Sequence, residues 1–118
     1  MYDVKLKSSY FSAQKDMRLI KKTIGEFLKE VATTNPNNQA LVEIDQNNKV
    51  NRKWTYKELY ENSLLLAFAL SSKFKKGSRV VIWSPNSPEW VLLEYAAALS
   101  GIIIVTANPS LQKKELKY

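Results

Sequence analysis

The most restrictive feature of the sequence is an apolar stretch that changes period twice between residues 79 and 105. Arg79-Val80-Val81-Ile82-Trp83 is β-branched and apolar, as a buried strand requires. Ser87-Pro88 then reads as a helix start, with Ser as the cap and Pro at the first helical position. Residues 90 to 99 are apolar nearly all round, and Glu94 is their one charge, so this helix is expected to be buried on most sides. Gly101 closes it, and Ile102-Ile103-Ile104-Val105 follows as a strand expected to be covered on both faces. Strand, helix and strand at this spacing make a βαβ unit with parallel strands and a right-handed crossover.

The upstream half supplies helices and a hairpin. Thr23 followed by Glu26, and Thr55 followed by Glu58, are two capping boxes. The first opens a helix with Ile24, Phe27, Leu28 and Val31 on its inner face, stopped by Asn35-Pro36. The second opens a helix running to about Phe74, with Tyr56, Leu59, Tyr60, Leu66, Ala67 and Leu70 inside and Lys75-Lys76-Gly77 at its end. Between them, residues 40 to 44 and 51 to 54 pair across the turn Gln46-Asn47-Asn48-Lys49. Residues 1 to 22 have no clean periodicity and read as an arm that orders only by docking. The fold class is therefore α/β, a parallel βαβ unit preceded by helices and a small β-hairpin, with helices on both faces of the sheet. Residues 112 to 118 read as the opening turns of a further helix with no breaker, so the domain at residues 23 to 118 is expected to be truncated there.

Composition removes whole classes of chemistry. The 118 residues contain no Cys and no His. Disulfides, thiolate catalysis, Ser-His-Asp arrangements and nearly all zinc or haem sites are thereby excluded. The 11 Asp and Glu are scattered, and the three glycines, Gly25, Gly77 and Gly101, stand far apart. No glycine-rich loop lets a backbone approach a phosphate. The net charge of +7 is concentrated in the arm, where residues 1 to 22 carry six Lys or Arg against two Asp. Aromatics sit in apolar faces rather than between basic residues, so nucleic acid is not an expected partner. Glu94, Gly101 and the β-branched cluster argue against a transmembrane segment at residues 90 to 107. With one Arg and two Asp, the arm fits a mitochondrial presequence poorly, and the expected location is cytoplasmic, with a mitochondrial one left open.

The best candidate binding edge is set by topology, because ligands of parallel sheets gather at the C-terminal strand ends. Here these ends are Ser84-Pro85-Asn86-Ser87 and Thr106-Ala107-Asn108-Pro109. Asn86 and Asn108 either touch a ligand or bond their own turns, and the turn role is the expectation. Trp83 and Trp90 either line an apolar ligand pocket or pack the core, with packing expected. Lys73, Lys75, Lys76 and Arg79 either meet a phosphate or form a solvated helix end, and solvation is expected.

Several segments, taken together, resemble one family. Trp54-Thr55-Tyr56-Lys57-Glu58-Leu59 is similar to the "(L/W)-T-Y-x-E-L" segment of adenylate-forming enzymes. Lys76-Gly77-Ser78-Arg79-Val80-Val81-Ile82 resembles their "K-G-D-R-V-x-I" strand entry, with Ser78 in place of the usual Asp. Ser84-Pro85-Asn86-Ser87-Pro88-Glu89-Trp90 resembles "x-P-N-x-x-E-W", and the stretch from Ala97 to Tyr118 resembles "A-x-x-x-G-x-I-x-V-x-x-N-P-x-x-x-x-x-E-L-x-Y". Ser9-Tyr10 and Thr23-Ile24-Gly25 resemble the arm and first helix of fatty acyl-CoA synthetases, nearest in flavour to the medium-chain group. The resemblance implies a parent enzyme that activates a carboxylic acid with ATP and Mg2+ and passes the acyl group to coenzyme A, releasing AMP. It equally implies what these residues lack. The family's phosphate loop, adenine-binding segment, ribose-binding Asp and catalytic Lys have no counterpart here. No catalytic, cofactor-binding or metal residue is therefore assigned. The expected partner is the rest of the ligase, in the same polypeptide or a second chain, with a fatty acid as the parent's substrate. The residues alone also admit a free-standing α/β interaction module without enzymatic activity.

Overall fold

A computed structural model describes residues 19–117. The arm up to residue 18, with Ser9-Tyr10, and the final Tyr118 lie outside the described residues. Both capping boxes form. Thr23 caps α1 (Ile24–Thr34), with Glu26 N–H donating to Thr23 Oγ1 at 3.2 Å and Thr23 N–H donating back to Glu26 Oε2 at 2.8 Å. Thr55 and Glu58 repeat the arrangement at the start of α2 (Tyr56–Ser71), with distances of 3.2 and 2.8 Å. Each box satisfies two backbone donors that would otherwise be left open at a helix start.

Between the two helices, β1 (Gln39–Ile44) and β2 (Val50–Thr55) form an antiparallel hairpin. Its turn is built by Asp45, whose Oδ1 accepts from Asn47 N–H at 2.8 Å and Lys49 N–H at 2.9 Å. Asn48 supplies the left-handed residue, at φ 58°, a conformation that Asn tolerates well. Tyr56 N–H donates to Asn38 O, and Lys57 N–H to Pro36 O, so the end of α1 and the start of α2 are stitched together beside the hairpin.

α2 stops earlier than the sequence implies, at Ser71 rather than Phe74. Ser72 turns its hydroxyl back onto the Ala69 carbonyl at 2.8 Å. Serines compete for helix carbonyls in this way and weaken the last turn. Lys73 and Phe74 N–H both fold onto Leu70 O, and the lysines expected at the helix end fall in the turn beyond it. Gly77 does adopt the left-handed conformation, at φ 83°.

The βαβ unit is present: β3 (Arg79–Trp83), α3 (Pro88–Ser100) and β4 (Ile103–Ala107). β3 and β4 pair in parallel, Arg79 opposite Ile103 through to Trp83 opposite Ala107. Ser87 caps α3, and Gly101 at φ 70° ends it. Gly77 N–H donates to Gly101 O at 2.8 Å, which ties the turn before β3 to the turn before β4.

The core lies where α1, α2 and α3 meet, the α2–α3 contact being the most extensive between helices. Leu28 and Ala32 of α1, Leu59, Ser63 and Ala67 of α2, and Ala96 and Ala97 of α3 are buried. Most of these are small, which lets helix axes approach closely. α1 is rotated from its expected face: Gly25, Leu28 and Ala32 point inward while Ile24 and Phe27 are exposed. Gly25 explains the rotation, because a Cβ placed there would stand 2.9 Å from Leu99 Cδ2. α3 is enclosed as expected, with only Glu89 and Glu94 exposed.

Two further sequence expectations need correction. The sheet was expected to carry helices on both faces, yet one face is open: Val81, Trp83, Ile103 and Val105 are 56, 46, 45 and 40% exposed. Register places these four side by side, and parallel strands alternate in and out along their length. The second difference is at the end of the chain. Residues 115–117 form one 3-10 turn, η1 (Glu115–Lys117), rather than α-helix. So short a run closes too few hydrogen bonds to offset helix nucleation.

Candidate functional site

The parallel register brings the two strand ends together, so the turns after Trp83 and Ala107 are neighbours. Asn108 behaves as a turn residue: its Oδ1 accepts from Ser110 N–H at 2.9 Å, and its carbonyl accepts from Leu111 N–H at 3.0 Å. Asn86 is exposed in the other turn. Ser84 hydroxyl donates to Pro85 O at 3.0 Å, and Trp90 N–H donates to Ser87 Oγ at 3.3 Å. These bonds hold the loop rather than aim donors outward.

The two tryptophans part company. Trp90 is half-buried beside a cavity of about 130 Å3 shared with Ile82 and Leu93. Trp83 instead lies on the open sheet face. The cations Lys73, Lys75, Lys76 and Arg79 are exposed. They precede or begin β3, so they lie at the opposite end of the strand from the Ser84–Ser87 turn. The structure therefore does not bring them to the candidate edge.

One constellation was not anticipated from the sequence. Arg52 on β2 grips Glu43 on β1 with two bonds, Nε to Oε2 at 2.6 Å and Nη2 to Oε1 at 3.0 Å. Its Nη1 reaches Glu89 Oε1 at 2.6 Å, in the first turn of α3. The guanidinium also lies 5.1 Å from the ring centre of Trp54, two residues along the same strand face. Asn51 Nδ2 adds a bond to Glu43 Oε2 at 2.8 Å. The Arg52 hydrogen bond is the chief cause that holds the Glu89 carboxyl down at about 2, with a backbone hydrogen bond next. Arg52 likewise lowers Glu43, and Arg52 itself is raised by its two carboxylates. The hairpin is thereby pinned beside the candidate edge. Glu43 opposite Arg52 on a hairpin is legible as a charge pair, but Glu89, 37 positions on, carries no local signal.

What this edge can do chemically is hold backbone. The described residues do not suit ATP, magnesium or coenzyme A. No glycine-rich turn opens toward a phosphate, and the one carboxylate beside the α3 start is already committed to Arg52. Among the described residues no three His, Cys, Asp or Glu converge as metal ligands. No described helix is long and apolar enough to cross a membrane.

The family model described as "AMP-binding enzyme" matches residues 28–118. The chain is 40% identical over 110 residues to the medium-chain acyl-CoA ligase ACSF2, mitochondrial, of Rattus norvegicus, covering 93% of this chain and 17% of that protein. It is 34% identical over 101 residues to the putative acyl-CoA synthetase YngI of Bacillus subtilis, covering 85% of this chain and 18% of that one. Among solved structures, the inhibitor-bound N-terminal domain of FACL13 from Mycobacterium tuberculosis superimposes with a TM-score of 0.71 at 32% identity, over 80% of this chain and 23% of that chain. The N-terminal subdomain of Klebsiella oxytoca NpsA with anthranilyl-AMSN does so with a TM-score of 0.71 at 29% identity, over 80% and 24%. The chain thus spans about a sixth of the length of the curated relatives it matches. The matched residues contain the second capping box and the whole parallel βαβ unit, and the chain belongs to the AMP-binding enzyme family.

Proposed function

We propose that residues 23 to 118 are the opening part of a fatty acid–CoA ligase, a scaffold that completes its sheet against the remainder of the enzyme and does not catalyse alone. One observation carries this reading. Val81, Trp83, Ile103 and Val105 form an open apolar face on a parallel pair, and parallel sheets are stable only when both faces are covered. ATP, magnesium and coenzyme A are then requirements of the whole ligase, which would convert a carboxylic acid to an acyl-adenylate and then to a thioester.

The proposed partner is the rest of that ligase, in the same polypeptide or as a second chain. The substrate class follows the relatives' printed names, medium-chain acyl groups, and belongs to the whole protein. The proposed location is the cytoplasm, with the mitochondrion, named for the ACSF2 relatives, as the alternative. Cell fractionation with an antibody to residues 23 to 118 checks it, and signal in purified mitochondria would reverse it.

The activity test is direct. The purified 118 residues are incubated with ATP, Mg2+, coenzyme A and octanoate, and octanoyl-CoA and AMP are measured. No turnover is expected. Acyl-CoA formation by this chain alone would overturn the reading. An immunoblot of source cells then reports the size of the natural product: a band several times larger than 13.5 kDa supports a contiguous ligase.

A further inference from the structure

α2 has a second side that the core does not use. Leu59, Ser63 and Ala67, four apart, form its inner side and are buried. Leu65 and Phe68, three apart, fall on the opposite side of the helix and are 68 and 66% exposed. Within the described helices and strands no large apolar side chain is more exposed than these two. α2 packs on α3, and α3 on β4. The helical layer therefore separates this side from the open sheet face, for which the rest of the ligase is the proposed cover.

The chain leaving this side is cationic and unbalanced. Between Glu61 and Glu89 there is no Asp or Glu, but there are Lys73, Lys75, Lys76 and Arg79. Arg79 belongs to β3, whereas the three lysines sit exposed in the turn at the foot of α2. Ser72 N–H donates to Phe68 O at 3.1 Å, and Ser78 N–H to Lys75 O at 3.0 Å, so this turn stays folded close to Phe68. The ion pairs among the described residues engage Lys22, Arg52 and Lys57, and none of the three lysines. Glu61, one turn before Leu65 on the same side, lies 3.9 Å from the Lys57 ammonium.

We infer that this end of α2 is a docking surface for an anionic phospholipid bilayer. Leu65 and Phe68 enter the boundary between headgroups and acyl chains, and Lys73, Lys75 and Lys76 meet lipid phosphates. Charge selects the occupant. Exposed apolar side chains bordered by uncompensated cations are the make-up of a helix that lies on an anionic membrane, and each lysine at such a surface strengthens binding roughly five-fold. Lysine stems are apolar, so the ammonium groups stay among the headgroups while the helix settles. The chain's net charge of +7 has the matching sign for approach. The contact is with a surface and not a span, since no described helix is long and apolar enough to cross a membrane.

The absence of cysteine allows a clean test. Ser72→Cys, exposed at the end of the same side, carries the fluorophore NBD in the full chain. Asn47→Cys in the hairpin turn carries it in a second protein. Vesicles are phosphatidylcholine alone, or phosphatidylcholine with about 30% phosphatidylglycerol. On the mixed vesicles the Ser72→Cys label is expected to shift to the blue and brighten about three-fold, and the Asn47→Cys label to stay unchanged. Leu65→Ser with Phe68→Ser is expected to weaken partitioning about ten-fold. Lys73→Gln with Lys75→Gln and Lys76→Gln is expected to do the same, as is high salt. No binding, or binding with the Ser72→Cys label silent, would overturn the inference, the latter by assigning attachment to residues 1 to 22 or to the open sheet face. Equal responses on the two vesicle types would also overturn it. So would a dimer in vesicle-free solution that Leu65→Ser with Phe68→Ser dissociates, because a second copy would then occupy this side.

Discussion

Arg52 and Glu89 meet at 2.6 Å although they lie 37 positions apart, and this contact fastens the hairpin to the first turn of α3. Because Glu89 is held at about 2 chiefly by Arg52, the pair sets a pH dependence. A depressed carboxylate contributes stability that is present above its unfolded value, 4.5, and is lost as pH falls through about 2. Carboxyl NMR is expected to place the Glu89 titration near 2, and R52A is expected to return it toward 4.5. A Glu89 titration unmoved by R52A would show that the hydrogen bonds at the start of α3, from the backbone and Ser87, set it instead.

Gly25 gives a packing test. Gly25→Val places branched carbon against Leu99, whose Cδ2 already stands 2.9 Å from a bare Cβ. A destabilisation of about 1–3 kcal/mol is expected, in the range of overpacked cores. Gly25→Ala is expected to come out near neutral, since the helix-propensity gain of up to about 1 kcal/mol offsets a small shift of the Leu99 tip. Urea denaturation of both variants checks the difference; equal midpoints would mean that α1 and α3 do not meet there.

Ser63 offers the opposite sign. It is 0% exposed, and its Oγ has no hydrogen-bond partner among the described residues. Removing an unsatisfied buried hydroxyl without leaving a large void is expected to stabilise by about 1 kcal/mol. Thermal unfolding of Ser63→Ala should show a raised midpoint, and a lowered one would reveal a partner for the hydroxyl.

The open sheet face makes two predictions at once. Val81→Lys with Val105→Lys is expected to reduce self-association and dye binding of this chain several-fold, since it breaks up the exposed apolar patch. Carried into a whole ligase, the same pair is expected to cost more than about 2 kcal/mol, because the charges would be buried without partners. Tolerance within about 0.5 kcal/mol there would show that the face is solvent in the complete enzyme.

Much of this fold is legible because its signals are local. Thr23 with Glu26, Thr55 with Glu58, and Ser87 before Pro88 each fix a helix start from within four residues. The parallel pairing follows from one strand–helix–strand run, and Asn108 takes its expected turn role. What escaped the sequence depends on distance. The inner face of α1 is decided by Leu99 against Gly25, not by the apolar period of α1 itself. Ser63 reads as a polar residue until α3 is laid over it. Glu89 reads as an ordinary first-turn acid until the hairpin delivers Arg52. The open face was misjudged for a related reason: four β-branched or aliphatic residues imply cover without saying which residues provide it.

That face also bears on the order of folding. The hairpin closes over a single turn and forms from near neighbours at low entropic cost, whereas β3 meets β4 only across the α3 crossover, a longer loop to close. The cover proposed for Val81 and Val105 comes from farther along, and it must arrive later. In that interval the chain carries an adhesive surface, and Arg79, on the same face beside Val81, is placed as a charged gatekeeper against premature strand-to-strand association.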